Sequence, residues 1–500
     1  MQNNSGFSNL LPNATVVVKI SSKGIQVKNI LYLIIVYLFS SYSQGGDLEC
    51  FMVMVGKHAS EDGSILVAHN NDLTGEEPSF VQKIPRKIHP KGAVISFPTG
   101  LDIPQVGETY EWMVMQIADG YKSGDAVAIN EYQVSIAGGV ALGKDRNAKA
   151  KKADPLISNG VPGGIRYVSL QRCQTAKSCT QLLGHFYTKY GVSYPSGVAI
   201  ADQEEVWYLE SGGGRSWAAV RVPDDQYWAQ GNGYRIGVID PKSPRVMTSP
   251  GLLSFAKRKG LWDPNQGPFS FKKAFGGRML TLPKYTHKNT RRVWRAMDLL
   301  SPSLKLETGL EQYPSSATPD KKISKRMLMT ILRDHYKGTE FDPYLDDNNG
   351  RIEAPIATHR AVHSNVIQLK KGLPKEIGSI MWAGLSAPFA TPYLPFYFGI
   401  DSIPFVYAQS ADRKTSAFYL YKKISNLIVS DMERNELKAK LTWEQIEDEQ
   451  LKKQASIEKR YLELDAKDPG LAKEWLSKYI KDLSDRVVSQ AKDLLEIMLH

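Results

Sequence analysis

Cys50-Phe-Met-Val-Met-Val55-Gly-Lys-His-Ala-Ser60-Glu-Asp-Gly-Ser-Ile65-Leu-Val-Ala-His-Asn70-Asn-Asp72 reads as a strand, a turn and a second strand. The cysteine stands at the head of the first strand. If the chain is cut just before it, one residue carries both a thiol and a free α-amine. Those two groups suffice for a nucleophile and its own base, so the stretch points to an enzyme completed by processing.

What lies upstream supports a cut. Residues 1–29 hold Lys19, Lys23 and Lys28 and no acidic residue; the apolar run Ile30 to Phe39 follows, then Ser-Ser-Tyr-Ser43. A basic segment, a short apolar segment and small residues form a secretory signal pattern, with cleavage expected after Ser43. The apolar run is about half the roughly 20 residues that a membrane-spanning helix needs. An uncleaved anchor or a buried helix is the other reading. Lipidation of Cys50 is disfavoured, because the charged, bulky Glu49 precedes it where a small residue is required. The expected organisation is a signal peptide over 1–43, a propeptide over 44–49, a catalytic domain over 50–411 and a helical extension over 412–500. The expected location is outside the cytoplasm, periplasmic or extracellular, with no stable membrane anchor.

Composition narrows the class further. The 500 residues carry a formal charge of +11, and that charge is dispersed. The one dense basic run, Lys144 to Lys152, has neither interleaved aromatic residues nor a known nucleic-acid module around it, so a solvated loop is expected and no nucleic-acid partner. Three cysteines are too few for a disulfide framework. Cys173 and Cys179 flank an expected helix; six residues turn a helix by about 600°, which puts the pair off a common face. Both are therefore read as structural thiols.

Further strands are expected at Val127–Asn130, Val134–Leu142, Gly197–Ala201, Val206–Glu210 and Trp217–Val222, the third and fourth forming a hairpin through Asp202 to Glu205. Helices are expected at about 164–190, 289–300 and 322–336, with an irregular packed region at 374–408. Beyond residue 412 the pattern turns helical and charged. Trp475, Tyr479, Leu483 and Val487 form a stripe that packs on its own domain or, alternatively, serves a partner.

An isolated cysteine at the head of an apolar strand can be a buried structural residue. Here the surrounding motifs say more. Cys50-x4-Val-Gly-Lys-x-Ala-Ser-x-Asp-Gly-Ser, then Ala-His-Asn-x-Asp72, resembles the start of the cysteine dipeptidases of the N-terminal-nucleophile hydrolase superfamily. Ala-Ile-Asn130-Glu131, Glu205-Val-Trp-Tyr-Leu-Glu210-Ser-Gly-Gly, Trp217 to Asp224, Asn232-Gly-Tyr-Arg-Ile-Gly, Arg292-Val-Trp-Arg-Ala, Ala361 to Val366 and Trp382 to Tyr397 agree in the same order.

The resemblance implies an α+β protein, a four-layer α/β/β/α sandwich with mainly antiparallel sheets plus the helical C-terminal extension. It implies hydrolysis of dipeptide amide bonds through a thioester at Cys50. Asp72 would orient the α-amine, Asn232 would donate to the oxyanion and Arg292 would stabilise charge at the nucleophile, with Arg291 and Arg295 as rivals. His69 and Asn130 fall on the substrate side. Without the family, Asp72 and Asn232 read as turn residues and Arg292 as a surface helix residue.

Two departures stand out. Related sequences often carry Arg where this chain has His69, whose charge is expected to vary with pH. The strand Val134 to Val140 is poorer in Glu and Thr than its counterparts, which implies altered substrate selection. No cofactor is needed by this chemistry. His359-x3-His363 lacks the Glu of a zinc-protease helix, and Asp342 to Gly350 fails the EF-hand pattern. An N-acyl amide hydrolase keeps the chemistry with another substrate, a non-catalytic anchored binding protein is the alternative of another class, and a homo-oligomer stays open.

Overall fold

A computed structural model describes residues 50–117, 126–140, 148–276, 288–344 and 354–500. The expected signal peptide and propeptide lie outside these residues, as do Lys144, Arg146 and most of the acidic loop 342–350. The part of the basic run that is described, Ala148–Ala153, is a short helix with exposed Lys151 and Lys152.

The chain is α+β, and among the described residues every pairing between strands is antiparallel. In spatial order, a six-stranded sheet runs β14 (Tyr227–Gln230), β1 (Phe51–Val55), β2 (Ile65–Asp72), β16 (Ala361–Leu369), β17 (Ser379–Leu385) and β18 (Leu394–Tyr397). An eight-stranded sheet runs β15 (Val246–Thr248), β13 (Trp217–Arg221), β12 (Val206–Ser211), β11 (Ser196–Ala201), β10 (Ser135–Val140), β9 (Ala126–Asn130), β8 (Trp112–Ile117) and β3 (Ser79–Ile84). Two short ribbons, β4 (Lys87–Ile88) with β7 (Glu108–Thr109) and β5 (Val94–Ser96) with β6 (Asp102–Pro104), complete the strands among the described residues.

The opening stretch forms the expected hairpin and occupies the middle of its sheet. All residues of β1 and β2 are buried, which explains why they read as continuous runs rather than alternating ones. The turn between them is set by Gly63 at φ +75° and by the Asp62 carboxylate, which accepts from the Ser64 amide at 3.1 Å. Phe51 pairs with Asn70, and the same register carries Cys50 opposite Asn71.

The region 374–408 contradicts the irregular reading, since β17 and β18 fall inside it. Pro395 disguised the second of these; β18 is an edge strand, the place in a sheet where proline is tolerated. The helix expected at 164–190 is two, Ile165–Leu170 and Ala176–Tyr190. A capping box between Thr175 and Ser178 starts the second one. Cys173 therefore lies before that helix rather than on it, and its Cα stands 5.0 Å from that of Cys179, with which it forms a disulfide. The reading of two separate thiols is corrected.

The C-terminal region is helical: Ala417–Ser430, Met432–Asp465 and Pro469–Leu499. Leu483 and Val487 of the stripe are buried, and Tyr479 donates to Gln450 of the preceding helix at 2.6 Å. The second helix is tied to the strands by Glu447, fully buried, which accepts from Arg326, Arg333 and the Tyr393 amide. A buried carboxylate is tolerable only with this many donors. Among the described residues no helix is long and apolar enough to cross a membrane.

Candidate active site

Cys50 is buried, and its thiol donates to Asn71 Oδ1 at 3.2 Å across the β1–β2 pair. Its carbonyl accepts from Arg292 Nη1 at 3.1 Å. Arg292 comes from the helix Lys288–Leu300 and is fully buried; its Nη2 donates to Asn232 Oδ1 at 2.8 Å and also to Asn289 Oδ1. One guanidinium thus touches both the nucleophile's backbone and the amide beside it. Its rivals are engaged elsewhere, Arg291 over the Phe341 ring and Arg295 on Asp334.

Arg292 also decides how Asn232 is turned. A guanidinium only donates, so the amide oxygen must face it and the NH2 must face away. The place it faces is marked by Gly139 in β10, on the other sheet. A Cβ there would lie 3.1 Å from Cys50 Cβ, 3.7 Å from Asn232 Nδ2 and 3.9 Å from Cys50 Sγ. The missing side chain therefore lets β10 approach a thiol and an amide donor closely, the two groups that acyl transfer needs on either side of a carbonyl.

Asp72 ends β2, one residue past the position that faces Cys50, and is fully buried beside a bulge between Ala361 and His363 of β16. Strand alternation puts His69, Asn71, His363 and Asn365 on the side of the Cys50 thiol. Asn70 faces the other way, donating to the carbonyls of Leu332 and Ile356. The His69 and His363 rings lie 6.2 Å apart.

The expected pH-dependent charge on His69 is corrected. Burial, reinforced by the charge of Arg166, pulls His69 down to about 3. Burial and the neighbouring His69 hold His363 well below the ordinary imidazole range. Both shifts favour the neutral ring. The side chain of Arg166 occupies the space over Gly138, where a Cβ would overlap its Nη1. His363 and the Nδ2 of Asn71 have no hydrogen-bond partner among the described residues, which leaves polar capacity next to the thiol.

Asn130 is not brought to this group. Its Nδ2 donates to the carbonyls of Leu170 and Cys173, both at 2.8 Å, and its Oδ1 accepts from the amides of Tyr132 and Val134. These four bonds use its side chain as a lock for the β9–β10 turn and leave nothing for a substrate. Asn71, Gly139 and Asn289 are the residues that motif reading missed. Only Gly138-Gly139, an unusual pair inside a strand, carried a signal.

Comparison with known proteins gives a consistent picture. The sequence model of Peptidase family C69 matches residues 49–445. A protein of Salmonella dublin named probable dipeptidase is 32% identical over 368 residues, covering 71% of this chain and 82% of that protein. A probable dipeptidase of Latilactobacillus sakei is 29% identical over 397 residues, with 76% and 81% covered. A probable dipeptidase B of Streptococcus pyogenes serotype M1 is 23% identical over 463 residues, with 89% and 91% covered.

Proposed function

Because this chain belongs to peptidase family C69 and is a cysteine-type peptidase, we propose that it hydrolyses dipeptides through Cys50, acting as an N-terminal nucleophile once the segment before it is removed. The observation that carries this reading is the convergence of Cys50 Sγ and Asn232 Nδ2 beside Gly139, with Arg292 donating to the Cys50 carbonyl and to Asn232 Oδ1.

The steps use groups of this chain. The α-amine of Cys50, with an unperturbed pKa near about 7.7–8.0, takes the thiol proton. Sγ attacks the peptide carbonyl, and the oxygen gathers negative charge beside Asn232 Nδ2. Collapse breaks the C–N bond, the amine's proton passes to the leaving nitrogen, and a thioester remains. The amine then deprotonates water, which attacks the thioester; the C–S bond breaks and the thiol is restored. Asp72 orients the amine, and the buried position at the end of β2 supports that role. His69 lies on the substrate side and acts as a neutral hydrogen-bonding group.

The reading extends to the architecture and the life history of the chain. It includes a four-layer α/β/β/α core, supported by the close approach of β10 to Cys50 and of Tyr208 to Trp228, whose rings lie 5.0 Å apart. It divides the chain into a signal peptide (1–43), a propeptide (44–49), a catalytic domain (50–411) and a helical extension (412–500), and places the mature enzyme outside the cytoplasm. The support for export is the basic, then apolar, then small-residue pattern of the first 43 residues.

A panel of free dipeptides and N-acyl amides, with wild type and Cys50→Ser, tests the reading. Turnover of dipeptides that Cys50→Ser abolishes is expected. Full activity in Cys50→Ser, or turnover of acyl amides alone, contradicts it.

A further inference from the structure

One buried carboxylate joins two of the sequence motifs. Glu210 of β12 is fully buried and accepts from the backbone amides of Arg235 at 2.6 Å and Ile236 at 3.1 Å. Those amides follow Asn232 by three and four residues. The turn that carries Asn232 is gripped from other sides as well. Gln230 Nε2 donates to the Gly233 carbonyl at 3.0 Å, and the Arg235 guanidinium reaches back to the Ala229 carbonyl at 3.1 Å. Gly231 packs so closely on Asn289 that a Cβ would lie 2.6 Å from its carbonyl oxygen.

Glu210 and Gly139 belong to the same sheet, whereas the turn leaves β14 of the other. The carboxylate thus ties the turn that carries the amide donor to the sheet of Gly139, as does Tyr234, whose hydroxyl donates to the Ser211 carbonyl at 3.1 Å. We propose that Glu210 is a positioning residue for Asn232, acting through the amides of Arg235 and Ile236 to hold the oxyanion donor at its working distance. This rests on the oxyanion role proposed for Asn232.

The link should respond to protonation. An ionised carboxylate offers both oxygens to N–H donors, whereas a protonated one turns an oxygen into a donor facing an amide that can only donate. Burial pushes Glu210 up to about 7, against the pull of the two amides, Tyr208 and the charge of Arg235. The groups facing it are Tyr208 on its own strand, Arg235 and Tyr234 on the turn, and Lys272 of the helix Phe271–Phe275. Tyr208 is held protonated by burial, and burial brings Lys272 down to about 8. The clamp is complete above about pH 7 and is lost as pH falls through that value.

The test is dipeptide hydrolysis by the processed enzyme between pH 5 and 9, with kcat counted per reactive thiol, in wild type, Glu210→Gln and Glu210→Asp. A small displacement of a catalytic group is enough to cost up to about 100-fold. Glu210→Gln keeps one acceptor; at pH 8 its kcat is expected to fall about 10-fold, with KM within twofold. In wild type, kcat on the acid side should fall more steeply than one proton allows, because the α-amine and Glu210 both take protons. In Glu210→Gln the slope should drop to one. Glu210→Asp keeps the charge and is expected to keep the steep limb at reduced kcat, and it supplies the answer if Glu210→Gln does not fold. A Glu210→Gln enzyme with wild-type kcat per thiol and an unchanged acid limb overturns the proposal, as does a Glu210→Asp enzyme whose acid limb has slope one. A wild type that cleaves no dipeptide removes the functional reading itself, and the proposal with it.

Discussion

Replacing Gly139 with alanine probes the space between the thiol and the amide donor. The new Cβ would meet Cys50 Cβ at 3.1 Å, closer than the ~3.5–4.0 Å at which carbon atoms pack comfortably, so the two sheets must yield by a few tenths of an ångström. Overpacking of this kind costs about 1–3 kcal/mol, and in a chain of this size the melting temperature should fall by only a few degrees. The effect on chemistry should be much larger. At 3.7 Å from Asn232 Nδ2 and 3.9 Å from Cys50 Sγ, the methyl group sits in van der Waals contact with both. A substrate oxygen that must approach Nδ2 to about 2.9 Å then has no room. Loss of one oxyanion donor costs about 10²–10³ in kcat. The assay is dipeptide turnover per titratable thiol, with a small alkylating reagent to confirm that Cys50 still reacts and a thermal melt to confirm the fold. A Gly139→Ala enzyme that is folded and within threefold of wild-type kcat would refute the placement of the carbonyl.

Three other perturbations follow from the same geometry. Arg292→Lys leaves a point charge that cannot reach both the Cys50 carbonyl and Asn232 Oδ1; kcat should fall about 10–100-fold, and adding Asn232→Ala should cost little more, which a double-mutant cycle checks. His69 and His363 have folded pKa values below the ordinary 6.5, so their contribution to stability is complete above about pH 6.5 and is lost progressively as pH falls below it, for His69 down to about 3. Each group then weakens the fold by about 1.4 kcal/mol per pH unit, and a His69→Gln protein should show a flatter loss of stability between pH 6 and 4 in denaturant titrations. Alkylation of the unfolded, unreduced chain should label one cysteine, Cys50, and reduction should expose Cys173 and Cys179 as well; mass spectrometry showing three labels without reduction would contradict the disulfide.

The strands around Cys50 were legible because both faces of β1 and β2 are buried, so their apolar runs are unbroken. The hairpin of β11 and β12 was legible from its four-residue connection, and the pairing of Ala201 with Val206 closes it as expected. Arg292 could be named only through the family, and its contact with the Cys50 carbonyl then separated it from Arg291, over Phe341, and Arg295, on Asp334. What could not be read were contacts between distant segments. Gly139 and Cys50 approach from different sheets, and no local pattern encodes that. The charge on His69 was misjudged because burial and Arg166, which depress it, are both tertiary facts. Asn130 was placed at the substrate because its motif travels with the family, whereas its four backbone hydrogen bonds make it a turn lock.

The central claim is that Cys50 acts with its own α-amine. N-terminal sequencing of the active, purified protein tests it directly, paired with the activity of the same preparation. The account predicts that the first residue is Cys50 and that activity rises in proportion to the fraction of chains starting there. An active preparation whose chains all begin upstream of Cys50 would contradict it.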